Sequence, residues 1–164
     1  MTAAVILTET YTGSHKTNTL PLLLQELHPY FQEKILITDE PSLYLPFVKN
    51  QARILVPFYK EADPLSSLHT SLSLAVSKEV LLLHESNGFS GIHTFKEIKK
   101  AKEYFQTQGV LYQEDSKTSL TNSLFDKSVL SVLQKQLSVN NKYTADFLRQ
   151  INYVFVHEQK KKSL

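Results

Sequence analysis

Four short runs of unbroken apolar character do most to limit what this chain can fold into. They are AVIL (Ala4–Leu7), KILIT (Lys34–Thr38), ARILVPF (Ala52–Phe58) and EVLLLH (Glu79–His84). A strand with one wet face alternates apolar and polar residues. An unbroken run fits a strand covered on both faces, as in a parallel sheet flanked by helices. The stretches between the runs supply those helices. Leu20, Leu23, Leu24, Leu27 and Phe31 keep the i, i+3, i+4 spacing of one buried helical face, with Pro21 tolerated in the first turn. A shorter segment follows Asp39, with Pro41 near its start and Pro46 limiting it. Asp63-Pro64 opens another helix, which buries Leu65, Leu68, Leu72 and Ala75.

The second half continues the rhythm. Thr94-Phe95-Lys96-Glu97 matches a capping box, and the helix it opens carries Ile98, Ala101, Tyr104 and Phe105 and stops by Gly109. VLYQ (Val110–Gln113) reads as a strand, and the polar stretch DSKTSLTNS (Asp115–Ser123) as a loop. Helices are expected over Asp126–Leu137 and Thr144–Ile151, and a last strand over Tyr153–His157. Right-handed crossovers then give an α/β fold, a three-layer α/β/α arrangement on a mostly parallel sheet. Ligands in such sheets bind beyond the carboxyl ends of the strands, here the loops after Leu7, Phe58 and His84.

At 164 residues the chain suits a single domain, expected over 1–158, with Lys160–Lys162 in a basic tail over 159–164. A net charge of +2 gives no pull toward nucleic acid, and no apolar run reaches the roughly 20 residues needed to span a bilayer. No secretory leader pattern is present, so a cytoplasmic protein is expected. With no cysteine there is no thiolate metal site, disulfide or cysteine nucleophile. No G-x-S-x-G elbow appears, and the histidines show no metal-ligand spacing.

The three loops hold the chemistry. Residues 8–19 contain five threonines, Ser14, Glu9, His15, Lys16 and one glycine, Gly13. Hydroxyls, main-chain N–H groups and a lysine suit phosphate, whereas Glu9 repels it unless a metal lies between. A polar strand-to-helix turn explains the same composition. The start of the Asp63 helix offers free N–H groups beside Ser66 and Ser67, or is simply an Asp-Pro helix start. Glu85 follows a buried strand directly, where a carboxylate is well placed to take Mg²⁺. An exposed turn carboxylate is the plainer reading.

In order, these blocks resemble the molybdenum-cofactor guanylyltransferase type of nucleotidyltransferase, and more distantly the cytidylyltransferases of isoprenoid synthesis. The family's opening motif, L-A-G-G-x-S-x-R-M-G-x-D-K-x-L-L, lies on LTETYTGSHKTNTLPLL without gaps, matching at Leu7, Thr12 and Leu22. Its G-P-L-x-G-[IL] motif meets DPLSSL at Pro64, Leu65 and Leu68, and its strand ending in aspartate meets VLLLH followed by Glu85. The family's glycine pair is here Glu9-Thr10, its arginine Ser14 and its lysine Thr19.

The resemblance implies a Rossmann-like nucleotidyltransferase fold of the glycosyltransferase-A kind. It implies transfer of a nucleoside monophosphate from GTP or CTP to a phosphorylated small-molecule acceptor with Mg²⁺. Lys16 and Glu85 would be catalytic, with Glu85 on the metal. Thr8, Glu9, Thr10, Thr12, Gly13, Ser14, Lys16, Asp63 and Ser66 would bind the nucleotide. A non-catalytic relative that binds a nucleotide or a protein is the other reading, because several phosphate-holding residues are replaced at once. RILVPFYKEADPLSSLHTSLSLAVSKEVLLLHES also has the strand–helix–strand rhythm of stress-type nucleotide-binding domains, but lacks their late glycine-rich motif.

Overall fold

The computed structural model describes residues 1–8, 19–60, 64–114 and 117–158. The elements run β1 (Thr2–Leu7), α1 (Thr19–Leu27), β2 (Lys34–Ile37), α2 (Pro41–Val48), β3 (Arg53–Leu55), α3 (Pro64–Leu74) and β4 (Glu79–His84). They continue with α4 (Ile92–Phe105), β5 (Gly109–Glu114), β6 (Lys117–Thr118), β7 (Ser123–Asp126), α5 (Leu130–Ser138), α6 (Thr144–Leu148) and β8 (Tyr153–His157).

One eight-stranded sheet runs β3-β2-β1-β4-β7-β5-β6, with β8 paired to the free side of β5. β1, β2, β3 and β4 are mutually parallel. β7 is antiparallel to both β4 and β5, which returns β5 and β8 to the direction of β4. The mostly parallel α/β expectation holds.

Alternation along each strand feeds two cores. Ala3, Val5 and Leu7 of β1 face one side, packed with Leu65, Leu68 and Leu72 of α3 and with Leu133, Leu137 and Phe147 of α5 and α6. Ala4 and Ile6 face the other, with Leu20, Leu24 and Leu27 of α1, Val48 of α2 and Ile98 of α4. Burial on both faces is why β1, β2 and β4 read as continuous apolar runs.

Several boundaries differ from the sequence expectation. The capping box at Thr94 does not form. α4 starts two residues earlier, after Gly91, whose positive φ of 96° turns the chain before Thr94 is reached, and no side chain caps it. Tyr104 and Phe105 are exposed rather than on its buried face. Pro46 lies inside α2 rather than limiting it. β3 covers only Arg53–Leu55 of the expected run, because its residues are half-exposed at the sheet edge. The stretch expected as a loop holds β6 and enters β7, and Asp126 ends β7 instead of opening a helix. Its carboxylate accepts from the Ser128 N–H at 2.9 Å, which caps the short turn before α5. α6 stops at Leu148.

Candidate functional site

β1 and β4 lie side by side and end together, Leu7 opposite His84. One residue further on, the Glu85 N–H donates to the Leu7 carbonyl at 2.9 Å, so the ladder carries Glu85 to the carboxyl edge of the sheet. Glu85 is buried there, 9% exposed. The Tyr44 hydroxyl, brought from α2, donates toward Glu85 Oε2 at 3.5 Å. Tyr44 is buried too. Burial first, then the Glu85 charge, push its phenol above the usual value, against a bond with the Thr8 hydroxyl. Tyr44 is therefore a neutral donor at ordinary pH.

Thr8 sits at the mouth of the same edge. Its hydroxyl donates to the Ile37 carbonyl at 3.2 Å and its N–H reaches the same oxygen at 3.4 Å. Three elements thus bring together Thr8, Tyr44 and Glu85. Sequence reading named Thr8 and Glu85 but missed Tyr44, which lies in an ordinary apolar helix segment.

After Glu85 the chain makes a tight turn. Gly88 N–H donates to the His84 carbonyl at 3.0 Å, with Gly88 at φ 68°. His84 Nδ1 lies 2.7 Å from the Ser86 hydroxyl, so the imidazole is engaged within the turn. Phe89 then packs edge-on to Phe31 with centroids 5.8 Å apart, anchoring the segment that leads into α4.

Ser66 lies on the first turn of α3 and is fully buried, its hydroxyl donating to the Tyr59 carbonyl at 3.2 Å. It holds the segment after β3 against α3. His69 is buried beneath that segment, edge-on to Phe58 and Tyr59, and burial holds its imidazole below the usual value. Glu9, Thr10, Thr12, Gly13, Ser14, Lys16 and Asp63 lie outside the described residues.

A second feature was not legible in the sequence. A cavity of about 380 Å³ opens at the carboxyl ends of β5 and β8, lined by His93, Thr94, Glu97, Tyr112, His157 and Glu158 among others. The Tyr112 phenol is pushed up by burial first and then by the Glu158 and Glu114 charges. β7 stands between β4 and β5 in the sheet, so the cavity lies on the far side of β7 from Glu85.

No family model matches the chain, and no curated protein matches it in sequence. Solved structures do. A molybdopterin-guanine dinucleotide biosynthesis protein A from Archaeoglobus fulgidus superposes with a TM-score of 0.76 over 96% of this chain and 83% of that one, at 15% identity. The chain has the nucleotidyltransferase fold. The 2-C-methyl-D-erythritol 4-phosphate cytidylyltransferase of Francisella tularensis shares that fold at a TM-score of 0.67, covering 98% of this chain and 92% of the other at 15% identity. A Mycobacterium tuberculosis protein crystallised in complex with manganese shares it at 0.67, covering 97% and 89% at 10% identity. Within this nucleotidyltransferase fold the antiparallel β7 separates the edge into a β1–β4 half, where Glu85 lies, and a β5–β8 half, where the cavity opens. Among the described residues no helix is long and apolar enough to cross a membrane.

Proposed function

We propose that the chain binds a nucleoside triphosphate, GTP or CTP, at the carboxyl ends of β1 and β4 and transfers its nucleotidyl group to a phosphorylated acceptor. One observation carries this reading. A buried carboxylate, Glu85, stands at the end of a central strand of the nucleotidyltransferase fold, its main-chain N–H donating to the Leu7 carbonyl and its Oε2 facing the Tyr44 hydroxyl. The sequence that follows β1 holds Thr8, Glu9, Thr10, Thr12, Gly13, Ser14 and Lys16, whose hydroxyls, N–H groups and ammonium suit phosphate oxygens. Asp63 and Ser66 complete the proposed nucleotide-binding set; Ser66, buried on the first turn of α3, would act by holding the segment after β3 through the Tyr59 carbonyl.

Mg²⁺ fits the donors present. It keeps several waters and takes one or two carboxylates plus substrate phosphates, so Glu85 with the Thr8 hydroxyl nearby is a sufficient protein share. Bound there, the ion would supply charge neutralisation on the triphosphate. The structural neighbour crystallised with manganese agrees with a divalent ion on this fold.

In the transfer itself an acceptor phosphate oxygen forms a bond to the α-phosphorus, and the bond to pyrophosphate breaks. Lys16 would hold charge on the departing phosphates. The cavity at β5 and β8 would seat the acceptor, with the uncapped start of α4 and the Ser90 and Thr94 hydroxyls offering donors. The test is pyrophosphate release from GTP, CTP or ATP with Mg²⁺ and a panel of phosphorylated acceptors. Release with one pair is the expected result.

A second reading has its own observation. Glu9-Thr10 replaces a glycine pair, and Ser14 and Thr19 replace an arginine and a lysine. One lost electrostatic donor costs roughly 10²–10³ in rate. A non-catalytic relative would release no pyrophosphate with any acceptor, binding nucleotide if it is a nucleotide-binding one and none if it binds a protein instead.

A further inference from the structure

β8 closes one end of the sheet, and among the described residues no strand pairs with its outer edge. Its only strand partner among the described residues is β5. Two bonds fix which main-chain groups face which way. Gly109 N–H donates to the Asn152 carbonyl at 3.2 Å, and Glu158 N–H donates to the Gln113 carbonyl at 3.1 Å. Strand residues alternate their hydrogen-bonding side, so Val154 and Val156 also turn toward β5. The N–H and C=O groups of Tyr153, Phe155 and His157 therefore point outward.

Edge strands are ordinarily blunted by a charge, a proline or a bulge. YVFVH has no charged residue and no proline, and its register against β5 is unbroken over all five residues. Its aromatic side chains form a stripe on one face. Tyr153 packs edge-on to Phe155 at 5.4 Å, and the His157 ring stacks on Phe155 at 6.1 Å. Phe155, in the middle, is 41% exposed.

This edge is complementary to itself. In an antiparallel pairing centred on Phe155, Phe155 faces its copy and Tyr153 faces His157 of the other chain. All three outward residues then exchange N–H and C=O groups, about six main-chain hydrogen bonds. The stripe becomes a row of cross-strand aromatic pairs, a favourable sheet contact. Asn152 falls opposite Glu158, so no like charges of the described residues meet.

We propose that β8 is the two-fold interface of a homodimer, in which two copies join their sheets edge to edge. Nothing in this depends on nucleotide binding.

The experiment uses the full chain. Light scattering behind gel filtration at tens of micromolar should give twice the 18.8 kDa chain mass. Phe155→Lys should return it to one chain mass while circular dichroism keeps the native spectrum. A second variant does not depend on that one folding. The chain has no cysteine, so a Phe155→Cys variant carries a single thiol. The central hydrogen-bonded pair brings the two Cα atoms to about 5.5 Å, inside the disulfide range of about 4.4–6.8 Å. Mild oxidation should link it into a dimer at least tenfold faster than a Val139→Cys variant, whose site is more exposed but lies after α5. A wild-type chain at one chain mass, or a Phe155→Cys variant that cross-links no faster than Val139→Cys, would overturn the proposal.

Discussion

Tyr44 and Glu85 form the buried pair on which the site is built, and removing one oxygen tests it. Tyr44→Phe leaves the ring in place and takes away a donor to a buried carboxylate. A stability loss of about 1–2 kcal/mol in urea unfolding is expected, with weaker Mg²⁺-dependent nucleotide binding by calorimetry. Equal stability and equal binding would show that the 3.5 Å contact contributes nothing. Glu33 gives a second residue-level case. Its carboxylate accepts from the Val76 and Ser77 N–H groups at 2.9 and 2.8 Å and from Arg53 at 3.2 Å. Burial alone would raise its pKa, but the Ser77, Val76 and Arg53 contacts together bring it below the ordinary 4.5. Glu33→Gln should cost about 1–3 kcal/mol, read by thermal melting. The sequence made Glu85 legible because a charge directly after an unbroken apolar strand is conspicuous. Tyr44 was illegible because its partner is 41 residues away and its helix shows only an apolar pattern.

Elements were legible where their own residues carry an apolar run or a helical period, whatever their burial: β8 is half-exposed and was read, β7 is buried and was not. β4 and β8 occupy the residues expected for them, and β1 and β2 nearly so. β7 was missed for a physical reason. It has four residues, SLFD, follows a polar stretch and ends in a carboxylate that caps the next turn, so it carries no strand signal of its own. Pairing with β4 and β5 on either side makes it a strand. That pairing depends on Gly109, where an added Cβ would stand 2.9 Å from the Phe125 ring. Gly109→Ala should therefore destabilise by about 1–3 kcal/mol through overpacking. A denaturation midpoint equal to that of the native chain would count against the close approach. The foot of β4 is tied to α4 and β7 by Lys102, which bridges Asp126 at 2.7 Å and Glu79 at 3.4 Å. Lys102→Ala should cost about 2 kcal/mol, because Asp126 is left partly buried without its cation.

Across the whole molecule the partly buried carboxylates act in the same direction with pH. Burial would raise Glu79 and Asp126, but Lys99, the Thr2 hydroxyl and Lys102 lower Glu79, and Lys102 and Ser128 lower Asp126, as the contacts around Glu33 lower it. Each folded-state pKa lies below its unfolded value, so each contributes stability above that value and loses it as pH falls through the depressed range. Lys102 runs the other way. Burial opposes its charge, yet Asp126 and Glu79 raise it above 10.5, so its contribution fades only as pH climbs past that value. Urea midpoints should be flat near neutrality and fall steeply below about pH 4, and a Glu79→Gln variant should show a shallower fall. At this scale the sequence disclosed a mostly parallel sheet and the edge where chemistry would sit. The β5–β8 cavity and the outer edge of β8 stayed hidden, because they arise only when segments more than forty residues apart are paired. In the proposed function Glu85 serves a metal-bound nucleotide at the end of β4. Calorimetric titration of GTP, CTP and ATP, with and without Mg²⁺, into the native chain and Glu85→Gln tests it most directly. One nucleotide should bind in a Mg²⁺-dependent way, and Glu85→Gln should weaken it at least tenfold with melting temperature preserved. No binding of any of the three, or binding untouched by Mg²⁺ and by Glu85→Gln, would contradict it.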